Sequence, residues 1–223
     1  SSINITKTDM LFQNHNIWAS YGHLFGLHNV NLTAGVTSEL TQNNSYSMYR
    51  KNMLSDALDD IKTGDATTQT NNGGSNAVGL VSYYGRFNYD YNGIYLLELL
   101  GRRDGSSQLH PDYRWKNFGG AMTGFRLSEI SFIKGLGIFE DLKLRATYGE
   151  TGSVTGIGQY DYISNISTGT MVLGTDGTLH NMSYITSMTS IDRSWERVST
   201  LNFGLDFAVL KNRLIGTFDY YIR

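Results

Sequence analysis

Cysteine is absent from the 223 residues, so neither a disulfide framework nor a thiolate metal site is available. There is a single proline, Pro111. No apolar run approaches the roughly 20 residues of a membrane-spanning helix. That excludes a helical membrane protein but not a membrane β-barrel, whose strands alternate and give a weak hydropathy signal. Charge of one sign is also lacking: the formal net charge is -2, which gives no ground for a nucleic-acid partner. Ser1–Thr6 has neither the basic start nor the apolar core of a signal peptide. The other end, Asp219–Arg223, stops inside an alternating run, as expected of a piece cut from a longer chain.

Catalytic and metal-binding words are missing as well. The five histidines, His15, His23, His28, His110 and His180, are scattered and show no ligand spacing. Gly152-Ser153-Val154-Thr155-Gly156 has Val and Thr in the wrong places for a nucleophile elbow. Asp104-Gly105-Ser106-Ser107 and Thr175-Asp176-Gly177-Thr178 read as turns, because calcium-loop spacing is absent. No enzyme, no metal and no cofactor is expected.

What is present is aromatic and glycine-rich. Aromatics make up 13% of the chain, with 15 tyrosines, and there are 25 glycines. With few helix formers, this composition predicts an all-β chain of many strands. Side chains of a strand alternate between faces. Val81, Tyr83, Gly85, Phe87, Tyr89 and Tyr91 share one face; Ser82, Tyr84, Arg86, Asn88 and Asp90 share the other. Asn92-Gly93 then marks a hairpin turn, since both residues tolerate positive φ. Similar alternation runs through Val30–Val36, Leu142–Tyr148, Leu201–Val209 and Leu214–Ile222.

About eight strands are expected, near 14–23, 28–42, 79–91, 94–104, 117–128, 142–150, 195–209 and 213–223. Short connections lie at Phe25-Gly26, Asn92-Gly93 and Lys211-Asn212. Long ones run over 43–78 and 151–194, and a medium one over 105–116. The link at 129–141 is expected to hold a helical turn at Ile133–Leu136. The stretch 62–78 reads as flexible loop, preceded by a short helix at Asp56–Ile61. Alternating tight turns and long loops fit a transmembrane barrel with an apolar face toward lipid and a polar face toward an aqueous lumen. A soluble β-sandwich, with the faces reversed in meaning, fits the alternation alone equally well.

Three stretches carry a family resemblance. GRFNYDYNGIYLLELLGRRDGSSQLHPDYRW (Gly85–Trp115), FGGAMTGFRLSEISFIKGLGIFEDLKLRATYGETGS (Phe118–Ser153) and WERVSTLNFGLDFAVLKNRLIGTFDYY (Trp195–Tyr221) occur in order and cover somewhat over half of the chain. Together they resemble SusC/RagA-type TonB-dependent outer-membrane transporters. One departure is Phe118-Gly119, where the family usually has Phe-Pro, so that loop-to-strand corner is expected to differ. The resemblance implies a barrel of about 22 strands around a plug. Residues 1–223 would supply a partial barrel of about eight antiparallel strands, with no plug.

The resemblance further implies energised import of a large nutrient, an oligopeptide or an oligosaccharide, across the bacterial outer membrane. The implied partners are a SusD/RagB-like lipoprotein, TonB, outer-membrane lipid and the peptide or glycan substrate. The readings that stay open are a passive or structural barrel and a soluble β-sandwich binding module.

Two residue sets are candidates for function. Arg86, Asp90, Glu98, Arg102, Lys143, Arg145 and Asp206 fall on polar strand faces. They are expected either to form an inter-strand ion-pair ladder or to contact plug and substrate. Tyr113, Trp115, Tyr160, Tyr162 and Tyr184 are placed in loops, where aromatic rings can stack on sugars or peptide side chains.

Overall fold

A computed structural model describes every residue except 56, 58, 59, 174–176, 187 and 188. Its strands are β1 (Ser2–Phe25), β2 (His28–Lys51), β3 (Thr70–Tyr91), β4 (Tyr95–Ser106), β5 (Trp115–Arg126), β6 (Phe139–Ser153), β7 (Ile166–Val172), β8 (Leu179–Ile185), β9 (Glu196–Val209) and β10 (Leu214–Ile222). Eight of them form one sheet in the order β1-β2-β3-β4-β5-β6-β9-β10, and β7 and β8 form a second, two-stranded sheet. The expected all-β antiparallel fold is therefore present, as a sheet open at β1 and β10.

Turn chemistry sets the hairpins. Asn92 and Gly93 adopt φ of 53° and 67°, and Ile94 N–H closes the turn on Tyr91 O at 3.0 Å. Asp90 Oδ1 accepts from Gly93 N at 2.6 Å, so this acid caps the turn instead of joining an ion pair. Between β9 and β10, Leu210, Lys211 and Asn212 all take positive φ. Between β5 and β6 the chain forms a 3₁₀ turn, Leu127–Glu129, and the helix α1, Ser131–Leu136, which ends on Gly137 at φ 62°. The expected helical turn at 133–136 lies within α1.

Several expectations are corrected. The main sheet has the eight expected strands, and among the described residues the connection 151–194 adds the separate β7–β8 hairpin. The connection 43–78 shrinks to residues between Lys51 and Thr70, and the stretch 62–78, expected to be loop, is strand from Thr70 onward. Asp104-Gly105-Ser106 is strand as well, and the turn begins only at Ser107. Within the expected helix Asp56–Ile61, residues 56, 58 and 59 lie outside the described residues, while Asp60 caps the 3₁₀ turn that Ile61 opens. Thr175 and Asp176 also lie outside them.

The chain divides into two compact units. The first, Ser1–His15 with Ser38–Leu80, is a polar sheet. Asn43 donates to Asn76 Oδ1 at 3.2 Å and Asn14 to Glu39 Oε1 at 3.1 Å. These amide bridges explain why segments with loop composition remain extended: the side chains pair across strands where apolar contacts are scarce. At its end Arg50 donates to the carbonyls of Lys62 and Gly64 and to Gln69 Oε1, gathering two 3₁₀ turns.

The second unit, Asn16–Thr37 with Val81–Arg223, contains the alternating strands. Its odd-numbered positions on β4 and β5 pair as Tyr95–Phe125, Leu97–Thr123, Leu99–Ala121 and Gly105–Trp115. On β6, β9 and β10 the same face carries Leu144, Leu205, Phe203, Phe218 and Tyr220. Leu99, Leu144, Phe203 and Phe218 are all exposed. An apolar face this broad without protein cover is unlike the surface of a water-soluble monomer.

Candidate functional site

The opposite face of the second unit is polar and ionic. Arg145 Nε and Nη2 donate to Asp206 Oδ2 and Oδ1 at 2.8 and 2.9 Å, a two-pronged pairing across β6 and β9. Arg145 Nη2 also reaches Asp219 Oδ1 on β10 at 3.2 Å. Asn202 donates to the same Asp219 oxygen at 3.0 Å, and Lys143 lies 3.7 Å from Asp206. Gly204 makes room for this: a Cβ there would come within 2.7 Å of the guanidinium carbon. Arg86 pairs more loosely with Glu98 across β3 and β4, at 3.8 Å. The polar-face charges thus divide into a tight cluster on β6, β9 and β10 and single pairs elsewhere.

Arg102 belongs to another group. It donates to Asp104 Oδ1 at 2.8 Å and to Ser82 Oγ at 3.0 Å, and both partners are buried. Between this group and the tight turns lies a depression of about 240 Å³ lined by Asn29, Asn31, Glu98 and Arg145 and by the apolar Leu96 and Met122.

Among the described residues four apolar side chains are buried, and three of them, Leu109, Phe118 and Trp195, lie at the loop end of the strands. Trp195 meets the Phe118 ring edge-on at 5.7 Å and donates from Nε1 to Arg114 O at 2.8 Å. Phe118 lies on Gly152, where no Cβ fits, and the Arg197 guanidinium covers the ring at 5.9 Å.

Two of the loop tyrosines come together here. His110 contacts Tyr162 edge-on at 5.6 Å and Tyr113 at 6.3 Å. Gln108 Nε2 donates to Ile157 O at 2.8 Å and ties the two connections to each other. Tyr160, at φ 62°, begins the turn that Ile163 N–H closes on its carbonyl. Tyr184 lies apart, on β8 of the separate hairpin. Trp115 is the first residue of β5, on the apolar face, stacked at 5.9 Å with Tyr83. Sequence reading missed His110 as the centre of this cluster. Only its proximity to Tyr113 was visible, because Tyr162 joins it through the fold.

Comparison with known proteins places these features. The chain is 33% identical over 181 residues to TonB-dependent receptor P39 of Formosa agariphila, covering 81% of this chain. It is 33% identical over 150 residues to TonB-dependent receptor SusC of Bacteroides thetaiotaomicron, and 29% identical over 215 residues to receptor P3 of Formosa agariphila. The chain belongs with the TonB-dependent receptors, of which it is a partial stretch. It spans 21%, 16% and 14% of the lengths of P3, P39 and SusC respectively. No family model matches it.

The fold of the RagAB peptide importer, solved in closed-closed and open-open states, superimposes on 99% of the chain with a TM-score of 0.86 at 22% identity, over 24% of that chain. These relatives are receptors and importers by name, in keeping with the expectation that the chain is not an enzyme. Several residues of the resembling stretches are packing residues in the structure. Gly105 of Arg-Asp-Gly-Ser-Ser lies under Trp115 of Arg-Trp, Gly152 of Thr-Gly lies under Phe118, and Trp195 of Trp-Glu reaches Arg114. Phe118-Gly119 lies inside β5, opposite Arg102 and Gly101.

Proposed function

We propose that these residues form part of the barrel wall of a TonB-dependent importer that carries a large nutrient across the bacterial outer membrane. The observation that carries the reading is the two-faced sheet, in a chain whose sequence follows TonB-dependent receptors. Its apolar side is broad and uncovered, while its polar side is laced by Arg145, Asp206 and Asp219. A wall of this kind separates lipid from an aqueous lumen. A SusD/RagB-like lipoprotein acts with it, and TonB supplies the coupling. The likeness in fold to a peptide importer supports an oligopeptide as cargo, with an oligosaccharide as the other class. Tyr113, Tyr160, Tyr162 and Tyr184 are the proposed outer contacts for cargo. Arg86, Asp90, Arg102 and Arg145 face the lumen and plug.

Uptake by cells expressing the full-length receptor tests this. Labelled oligopeptides and oligosaccharides are supplied with TonB intact and with TonB deleted. TonB-dependent uptake of one class is the expected result. Uptake that survives deletion of TonB would mean a passive pore, and a receptor recovered from the aqueous fraction without detergent would remove the membrane reading altogether.

A further inference from the structure

A cation is placed at the loop-end rim of the apolar face, and no acid among the described residues balances it. Arg103 projects on the face that carries Leu97 and Leu99, and its guanidinium carbon lies 5.4 Å from the centre of the Trp115 ring. Trp115 in turn lies flat on Gly105, where a Cβ would come within 2.7 Å of the ring, and stacks with Tyr83 at 5.9 Å. Among the described residues no carboxylate lies within ion-pairing distance of Arg103. The adjacent Asp104 is held on the other face by Arg102. The guanidinium therefore keeps its hydrogen-bonding edge free while its plane is steadied by an indole.

Position along the strand identifies what it faces. Trp115 and Phe125 are the ends of the apolar face of β5. At about 3.3 Å per residue their ten-residue separation is about 33 Å along the strand, or about 25 Å across a membrane for a strand tilted by about 40°. That matches the height of the apolar band in outer-membrane barrels, about 25 Å. At the tight-turn end Tyr95 stacks on Phe125 at 5.0 Å, and Tyr91 and His28 continue the row. These rings form one aromatic girdle, and Tyr83 with Trp115 lies in the other. A guanidinium set in a girdle sits at headgroup depth, where its counter-charge is a lipid phosphate.

We propose that Arg103, Trp115 and Tyr83 form a binding site for the phosphate of an anionic lipid headgroup in the outer leaflet. Arg103 supplies the charge and parallel N–H donors, Trp115 fixes the guanidinium plane, and Gly105 lets the indole lie flat. The inference rests on the reading that the apolar face meets lipid.

The test is native mass spectrometry of the full-length receptor, delipidated in detergent and titrated with phosphatidylglycerol or phosphatidylcholine. Wild-type receptor is expected to retain phosphatidylglycerol in preference. Arg103→Gln is expected to lower that retention about fivefold, the worth of one basic residue near a membrane surface. Arg103→Lys keeps the charge and restores part of it. Arg86→Gln, on the polar face, leaves it unchanged. Equal retention by wild type and Arg103→Gln overturns the site. Displacement of the lipid by millimolar inorganic phosphate alone would assign the site to free phosphate and overturn the lipid proposal. A receptor that incorporates neither lipid and stays dispersed without detergent would overturn the membrane reading itself, an outcome distinct from the other two.

Discussion

Arg145 on β6 and Asp206 on β9 meet through two parallel hydrogen bonds, 2.8 and 2.9 Å long, directly over the α-carbon of Gly204. The pair is about one quarter exposed, so it is neither a free surface pair nor a dry one. It joins three strands, because the same guanidinium reaches Asp219 on β10. Arg145→Met leaves Asp206 and Asp219 facing each other without their shared cation. It is expected to destabilise the folded receptor by about 2 kcal/mol, the range for hydrogen bonds to charged groups. Arg145→Lys loses the two-pronged geometry and falls between the two. The temperature at which the folded form is lost on unheated-versus-heated gel electrophoresis measures this. An unchanged temperature for Arg145→Met would mean that the cluster does not brace the wall.

Gly152 is predicted to be intolerant of the smallest side chain. The Phe118 ring occupies the space a Cβ would need, and the ring is itself fixed by Trp195. Gly152→Ala forces the ring out of place, at a cost of about 1–3 kcal/mol. Gly101→Ala is the control, since nothing lies within 4 Å of a Cβ there. Thermal unfolding of the full-length receptor, with Trp195 emission followed alongside, separates the two variants. Equal stability of both would refute the packing assignment.

Acidity is expected to loosen the turn that Asp65 caps. The hydroxyl of Thr67, and then its backbone N–H, hold the Asp65 carboxyl below the usual carboxylate range. A depressed value in the folded state means the cap contributes above the ordinary carboxylate value. That contribution is lost as pH falls through the lowered one. Amide exchange at Thr67, corrected for the intrinsic effect of pH, should therefore be protected near neutrality and lose protection only well below about pH 4. Asp65→Asn cannot titrate but its side-chain oxygen still accepts from Thr67, so its protection should stay constant across the same pH range.

The fold of the second unit was legible because its two faces differ in polarity. Val81–Tyr91 alternates between aromatic and polar residues, and Asn92-Gly93 closes it with the positive φ those residues tolerate. The same reasoning failed at Thr70–Asn76, where amides pair across strands and both faces are polar, so alternation leaves no hydropathy signal. Asp104-Gly105-Ser106 has the composition of a turn, yet Gly105 is there to seat the Trp115 indole in a strand. The charged residues of the polar face could be read from parity. Which of them pair could not, because that depends on the register of β6 against β9 and of β9 against β10.

The loop end provides the most direct test of cargo recognition. Tyr113 and Tyr162 are distant in sequence and flank His110, and the Gln108–Ile157 hydrogen bond keeps their two connections together. Tyr113 is exposed, so its ring has a face available to a peptide side chain or a sugar. Tyr113→Ala is expected to raise the half-saturating cargo concentration for uptake about fivefold, the equivalent of about 1 kcal/mol for one aromatic contact. Under the proposed role as a cargo contact alone, the maximal rate should stay unchanged. Tyr162→Ala should act in the same direction, while Gln108→Ala, which removes only the tie, should weaken both effects together. Loss of maximal rate at unchanged half-saturation would instead mean that the cluster holds the loops open for translocation and does not touch cargo.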